Sequence, residues 1–285
     1  MDYRKIDLSK WHKVGSGGTA DTFACDDDSI LLKLNKSAAG EAPIRNEYDR
    51  TRKVVSLGIP APAVYEIVMA GDRFGILFQN IKNKKSYSRL IADDPDDLDE
   101  YARNFAVRAK ELHAIPCDPS LFESRAEMIR KGVELAKFIA KYKPALYAFI
   151  DEMSACTTCL HGDLHTGNLI RAEGKDYWID FDRFSYGDPT LDIAHLYTVC
   201  VGMAWLPYVR NLVHMNKKQL TRFWNVFLEE YFDSDENAIA ECYAKLPMYN
   251  ALDLVQRNYV HQGFISDMVT LVLVRPVVKK YCKGK

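Results

Sequence analysis

His161-Gly162-Asp163-Leu164-His165-Thr166-Gly167-Asn168-Leu169-Ile170 decides how this chain is read, together with Trp178-Ile179-Asp180-Phe181-Asp182, which begins ten residues after Asn168. Cys159-Leu160, just ahead of the first run, is apolar enough to end a short buried strand. Leu169-Ile170-Arg171 and Asp176-Tyr177-Trp178-Ile179 flank Glu173-Gly174-Lys175, the pattern of two strands joined by a tight turn. Asp163 and Asn168 therefore fall on a loop that enters a hairpin, and Asp180 falls where its second strand leaves. Pairing of the strands brings Asn168 and Asp180 to the same end.

One carboxylate beside one amide, with a second carboxylate five residues upstream, is a set that suits phosphoryl transfer. Mg²⁺ takes oxygen ligands and binds through one or two protein groups plus phosphates. Asn168 and Asp180 are the candidate metal ligands. Asp163 is then left to accept the proton of an attacking hydroxyl. Protein kinases divide the labour in this way, with a loop Asp, an Asn five residues on, and a later metal-binding Asp. The chain departs from their pattern after Phe181, where Asp182 replaces the glycine.

The His-Gly-Asp form of the loop resembles the aminoglycoside phosphotransferase and choline kinase group of small-molecule kinases. The resemblance rests on His161 to Asn168, on Trp178 to Asp180, and on Tyr186-Gly187-Asp188-Pro189 with Asp192. It is strongest from about residue 158 to 195 and weaker in the N-terminal third. It implies an α+β, bilobal, protein-kinase-like fold, with a small antiparallel-sheet N-lobe over residues 1–80 and a larger, mainly helical C-lobe over 81–285. It implies ATP and Mg²⁺ as cofactors, and a small hydroxyl compound as phosphate acceptor: an aminoglycoside, a choline-like alcohol, a sugar or an amino-alcohol. It also implies that His161 packs under the loop, that Asp192 braces the loop from below, and that His113 is structural. Two rival readings are a catalytically silent scaffold that keeps the fold and a protein kinase. No Ala-Pro-Glu motif follows, and the path from Asp180 to Asp188 is short for a peptide-docking segment.

Composition is compatible with this reading. The chain has 285 residues, 48% hydrophobic and 27% charged, with a net charge of −1. That is an ordinary globular balance, and it offers no basic surplus for nucleic acid. No apolar run reaches the roughly 18 residues of a membrane span; the most apolar, Val269 to Val274, stops at Arg275. Met1 to Lys5 has no apolar stretch behind it, so no secretory signal is visible. Seven scattered cysteines make no disulfide framework, and Cys156-x-x-Cys159 lacks a second pair for zinc. A cytoplasmic protein without a membrane partner is expected.

Working outward, Val14 to Ala20 is glycine-rich, and Thr22 to Cys25 and Ile30 to Leu34 read as strands around a polar turn. Gly15, Ser16, Gly17 and Gly18 form a candidate phosphate-covering loop, because backbone N–H groups approach an anion closely where no Cβ intervenes. The same glycines also suit a plain hairpin tip. Lys33 lies inside an apolar strand, where an unpaired ammonium is costly to bury. Its expected partners are nucleotide phosphates and Glu47, on a helix spanning Ala42 to Leu57 that Gly58 ends; Glu41 is the second choice. Val64 to Val68 and Arg73 to Phe78 form another strand pair, and Gln79 to Ile81 the hinge after it.

Beyond residue 82 the pattern is helical. Leu98 to His113 follows Asp94-Pro95, Met128 to Tyr142 is expected as a helix that stops before Pro144, and Asp188-Pro189 opens another. Gln219 to Tyr231, Tyr249 to Val260 and Asp267 to Val278 complete the set. Trp205, Tyr208, Trp224, Tyr231, Tyr249 and Tyr259 can line an acceptor cleft or simply fill the core. Gly167 is expected to permit the backbone turn that aims Asn168 inward, and Asp182 either to support the metal ligands from behind or to make a second metal contact.

Overall fold

The computed structural model describes residues 3–16, 20–37, 40–259 and 263–283. Its elements begin with β1 (Arg4–Lys5), β2 (Trp11–Ser16), β3 (Ala20–Cys25), β4 (Ile30–Asn35), α1 (Glu41–Ser56), β5 (Val64–Ala70), β6 (Arg73–Gln79) and β7 (Lys85–Ser86). They continue with α2 (Tyr87–Asp93), α3 (Leu98–His113), α4 (Arg125–Leu135), α5 (Lys143–Met153), β8 (Thr158–Leu160), β9 (Leu169–Ala172), β10 (Lys175–Trp178) and β11 (Ser185–Gly187). Last come α6 (Thr190–Tyr197), α7 (Pro207–Val213), α8 (Lys217–Tyr231), α9 (Glu236–Tyr259), α10 (Phe264–Val269) and α11 (Arg275–Tyr281). This is the mixed α+β content expected, with a largely antiparallel sheet first and helices after it.

The chain forms two compact units. The first comprises the described residues up to Ser86 together with Asn168–Asp182; the second comprises Tyr87–Gly167 and the described residues from Arg183 on. A division at residue 80 is the simpler expectation, but 168–182 groups with the N-terminal sheet. The reason is local: β7 pairs with β9, and Ile81 packs with Ile170 and Ala172, flanked by Tyr177 and Ile179.

In the first unit six strands run in the order β1-β5-β6-β4-β3-β2, antiparallel except for β1 beside β5. Strand alternation sorts β4: Leu32 and Leu34 point to one face, where they pack with Val68, Ala70 and Leu77. Lys33 points to the other, level with Ile76 of β6 and Thr22 of β3. α1 covers that second face, setting Ile44 against Ile67 and Ile76. Each such buried aliphatic side chain contributes about 1.5–3 kcal/mol, which holds α1 where its polar residues can reach Lys33. Gly58, at φ +80, ends the helix as expected.

The β9–β10 hairpin forms as expected, with Leu169 opposite Trp178. Its turn is tighter than the three residues expected: only Glu173 (φ 49) and Gly174 (φ 74) leave the ladder, both left-handed, while Lys175 already belongs to β10. Two left-handed residues match the right-handed twist of the flanking strands.

The second unit is built on α3 and α8, where Phe105 meets Phe223 with ring centroids 5.6 Å apart. The capping box of Asn216 and Gln219 starts α8. Three expected helices differ here. The Met128 to Tyr142 helix is instead α4, capped by Ser124 and ending at Leu135, followed by a tight turn over Lys137–Tyr142. Pro144 does not stop a helix; it lies in the first turn of α5, a position where a missing N–H costs nothing. The Tyr249 to Val260 segment is the end of a longer helix, α9, that runs through Pro247; Val260 lies outside the described residues. Asp267 to Val278 is divided among α10, a π-helical stretch Thr270–Val274, and α11, whose first turn carries Pro276. Among the described residues no helix is long and apolar enough to cross a membrane.

Candidate functional site

Lys33 is the centre of the first unit's site. Its Nζ lies 2.6 Å from Oε1 of Glu47 and 3.7 Å from Oδ1 of Asp180. Burial alone would lower the Lys33 pKa, but Glu47, Asp180 and Asp182 more than offset it, so the ammonium is held above its ordinary value. Burial also raises the Glu47 carboxyl, reinforced by the like charges of Asp182 and Asp180 and opposed by Lys33. Glu41, the second choice, pairs instead with Arg45 one turn along α1. Lys33, Glu47, Asp180 and Asp182 line a cavity of about 370 Å³, walled also by Phe78, Ile170 and Ile179.

The hairpin delivers Asp180 to that cavity. The Ile179 N–H donates to the Asn168 carbonyl at 3.0 Å, continuing the β9–β10 ladder by one step. Asp180 then adopts φ 65, a left-handed conformation costly for most residues but tolerated by Asp. The strand ends there, and the side chain stays 47% exposed while reaching toward Lys33. Asn168 is buried at 6% exposure. The Asp182 carbonyl accepts from Arg50. Three carboxylates, Glu47, Asp180 and Asp182, thus act on one ammonium. Among the described residues no three such side chains are placed together to hold a metal ion, but the oxygen ligands and excess negative charge here are of the kind a hard divalent cation takes with one or two protein groups and phosphates.

Gly15 and Ser16 do not form the loop expected of them. Both belong to β2, where Gly15 pairs with Thr22 across a bulge, and the Ser16 hydroxyl donates to Asp21 at 2.7 Å. They are not among the residues lining the cavity. Gly17 and Gly18 lie outside the described residues.

The second unit holds Asp163 in a network that no short motif announces. Oδ1 of Asp163 is 3.0 Å from an Arg257 guanidinium nitrogen and 3.1 Å from Nε2 of His195. Oδ2 is 3.7 Å from Nε2 of His165. Arg257 also donates to the Gly162 carbonyl at 2.5 Å and to Asp253 at 2.6 Å. Asp253 in turn lies 3.6 Å from Nδ1 of His195. Burial pushes the Asp163 carboxyl up, but His195, Arg257 and His165 outweigh it and hold it well below the usual carboxylate range. His165 is itself oriented, its Nδ1 accepting from the Gly167 N–H at 3.0 Å.

Asp192 braces the loop. Its carboxylate accepts from the N–H of His161 at 2.6 Å and of Gly162 at 2.8 Å, and lies 3.2 Å from His113 Nε2. His113 also meets the Tyr231 hydroxyl at 2.8 Å. His161 is fully buried beneath the loop. Gly162 has φ +80, and a Cβ there would collide with the Arg125 guanidinium and the Arg183 carbonyl, so this glycine is required for both conformation and space. Gly167 serves differently from expectation: it has no left-handed φ, and a Cβ would strike the His165 ring at 2.7 Å. It provides room rather than a turn.

Asp188 caps α6 as predicted, accepting from the Thr190 N–H at 2.8 Å. The aromatic residues divide: Trp224 and Tyr249 are core, whereas Trp205 and Tyr208 are exposed at 66% and 75%. Arg257, His195 and Asp253 escape sequence reasoning, although two weak signals exist. Asp253 and Arg257 are an i,i+4 pair in a helix, and His195 sits in an otherwise apolar run one turn after Asp192.

Residues 10–222 match the model of a family described as the phosphotransferase enzyme family. The methylthioribose kinase of Erwinia tasmaniensis is 30% identical over 162 residues, which are 54% of this chain and 39% of that kinase, so the match spans well under half of that relative. Among solved structures, the ADP-bound aminoglycoside phosphotransferase APH(2'')-Ib aligns with a TM-score of 0.59 at 20% identity, covering 94% of this chain and 93% of that one. A thermostable mutant of aminoglycoside phosphotransferase APH(4)-Ia aligns with a TM-score of 0.62 at 14% identity, covering 95% and 94%. At these identities the structural likenesses establish the fold. The family match covers most of the sequence, including Lys33, Glu47, Asp163, Asn168, Asp180, Asp192 and His195 but neither Asp253 nor Arg257, and on it the chain belongs to the phosphotransferase enzyme family.

Proposed function

We propose that the chain is a small-molecule kinase that moves the γ-phosphate of ATP, with Mg²⁺, to a hydroxyl group. The observation that carries this reading is Lys33 tied to Glu47 at 2.6 Å, with Asp180 beside it, in the wall of the first unit's cavity. The relatives support it. One is named a methylthioribose kinase, and solved neighbours hold ADP, or ADP with hygromycin B.

Lys33 is the phosphate-binding cation, and Glu47 fixes its long side chain so that less rotamer freedom is lost on binding. Asp180 and Asn168 are the groups that would hold Mg²⁺; when bound, the ion offsets the negative charge of the phosphates and of the acidic trio. Asp163 orients the acceptor hydroxyl and receives its proton. A carboxyl held far below its ordinary pKa is a weak base, so orientation matters more than early proton removal. That suits a loose phosphoryl-transfer transition state, in which positioning and charge stabilisation do most of the work. The acceptor belongs to the hydroxyl-bearing class that includes sugars, amino-alcohols, choline-like alcohols and aminoglycosides.

Thermal melting with and without Mg·ATP, paired with phosphate transfer to a hydroxyl panel, tests the assignment. A ligand bound only by the folded protein raises Tm with its concentration. Asp163→Ala should keep that rise and lose turnover. Asp180→Ala should lose most of the rise. Retained turnover in Asp163→Ala, or an undiminished rise in Asp180→Ala, removes the corresponding role.

A further inference from the structure

The side chains that grip Asp163 come from distant parts of the second unit. His195 lies in α6, and Asp253 and Arg257 lie one turn apart in α9, 90 or more residues beyond Asp163 in the case of Arg257. Both closest contacts fall on the same oxygen, Oδ1, at 3.0 Å from Arg257 and 3.1 Å from His195. Asp253 supports both side chains from behind, 2.6 Å from Arg257 and 3.6 Å from His195. His195 and Arg257 keep only 13% and 17% side-chain exposure, and Asp253 7%, so the group is packed rather than free to swing.

Resting on the kinase reading, we propose that His195, backed by Asp253, is a positioning residue that with Arg257 clamps Oδ1 of Asp163 and fixes the angle at which the carboxylate meets the acceptor hydroxyl. An unclamped carboxylate turns about its last bond, and displacements of about 1 Å in a reacting group can cost on the order of 10²-fold in rate. Two donors on one oxygen remove that freedom. They also leave the charge on the carboxylate, since neither replaces its proton-accepting capacity. The proton balance is unchanged by the clamp: the acceptor O–H breaks, the oxygen bonds phosphorus as the bond to ADP breaks, and the proton passes to Asp163.

The test compares His195→Gln with His195→Asn. The glutamine amide reaches toward the place of Nε2, the nitrogen that faces Asp163; the asparagine amide reaches only toward Nδ1, on the Asp253 side. Both are polar, so neither leaves Asp253 against an apolar group. Phosphate release or transfer from Mg·ATP is measured with water, methylthioribose, hygromycin B and choline as probe acceptors, beside Asp163→Asn as background. His195→Asn should lower kcat about 10²-fold with KM for ATP unchanged, and His195→Gln should restore it to within about tenfold of wild type. Asp163 is faced by His195, Arg257 and His165, and His195 by Asp163 and Asp253. The His195 hydrogen bond helps hold the Asp163 carboxyl down, so its loss should move the acid-side fall of kcat to a higher pH in His195→Asn; a purely structural role would not move it. Equal activity of the two variants, or an acid limb left in place, overturns the clamp. If the wild type exceeds Asp163→Asn while His195→Asn is unimpaired, only the positioning role falls. If the wild type never exceeds Asp163→Asn with any probe, the kinase reading falls and takes the clamp with it.

Discussion

Replacing Asp192 tests how the loop before Asp163 is held, whatever the reaction. The carboxylate is 1% exposed and accepts from two consecutive backbone N–H groups at 2.6 and 2.8 Å, with His113 at 3.2 Å. Hydrogen bonds to a charged group contribute roughly 1.5–3 kcal/mol each, and buried donors left without partners lose that in full. Asp192→Ala strands both amides and should cost about 3–6 kcal/mol. At about 2 °C per kcal/mol for a chain somewhat above 250 residues, Tm should fall by roughly 6–12 °C. Asp192→Asn keeps one acceptor oxygen but turns an NH₂ toward a donor, so about half that loss is expected.

Calorimetry gives the size of the effect, and hydrogen exchange across residues 159–167 localises it, since the His161 and Gly162 amides should exchange far faster in Asp192→Ala. The pH dependence supplies a further check. Burial works to raise the Asp192 carboxyl, but His113, His161 and Arg125 keep it below its ordinary value of 3.8. A depressed folded-state pKa means that the stabilisation is complete above the unfolded value and is lost as pH falls through the folded one. The Tm gap between wild type and Asp192→Asn should therefore be constant at neutral pH and narrow only below about pH 4. A Tm drop under 2 °C for Asp192→Ala, with unchanged exchange at residues 161 and 162, would refute the bracing argument.

The other expectations concern single side chains. Gly162→Ala must place a methyl group against Arg125 and the Arg183 carbonyl at φ +80; beyond the roughly 1 kcal/mol of a left-handed alanine, the collision should push the loss past 2 kcal/mol, read by denaturant unfolding. A Gly162→Ala protein as stable as wild type would mean that the loop has another conformation. Lys33→Met removes the ammonium on which Glu47, Asp180 and Asp182 act, so the Mg·ATP-induced rise in Tm should be largely lost; a rise equal to wild type would exclude Lys33 from phosphate binding. Arg125, buried and pulled down to about 10 by desolvation, should tolerate replacement poorly: Arg125→Met leaves the Ser185 hydroxyl, the Arg183 carbonyl and Gln256 without its donors and should cost about 3 kcal/mol or more by the same unfolding assay.

What the sequence discloses is what local chemistry determines. The β9–β10 hairpin is legible because turn residues and apolar strands agree within a dozen residues, and Lys33–Glu47 because the kinase pattern pairs a lysine in an apolar strand with an acid on the next helix. Proline was the weakest guide. Pro144, read as a stop, lies in the first turn of a helix, as Pro276 does in α11, and Pro247 sits inside α9. β7 is two residues long, too short to carry a pattern, yet its pairing with β9 assigns the whole hairpin to the first unit. Asp180's left-handed φ has no signal at all in a run that reads Trp-Ile-Asp-Phe-Asp. The grip on Asp163 is hidden for another reason: it joins residues 94 positions apart, through side chains that are individually unremarkable on their helices.

The two units treat their acidic residues in opposite ways, and this bears on the proposed division of roles. In the first, Glu47, Asp180 and Asp182 share Lys33, so negative charge is in excess. Such a site gains from a divalent cation, because an added positive charge relieves repulsion already built in. In the second, Asp163 alone faces Arg257, His195 and His165, with Asp253 already engaged by two of them. A metal ion brought to Asp163 would have to displace a guanidinium held by two carboxylates and would meet like charge on arrival. Under the kinase reading, Mg²⁺ therefore belongs with Asp180 and Asn168, while Asp163 is kept off the metal and available to a hydroxyl group. Asp163→Asn should accordingly leave the Mg²⁺ dependence of nucleotide binding unchanged, whereas Asp180→Asn should raise the Mg²⁺ concentration needed for half-maximal stabilisation; the reverse result would place the cation on the wrong carboxylate and undo the argument from charge.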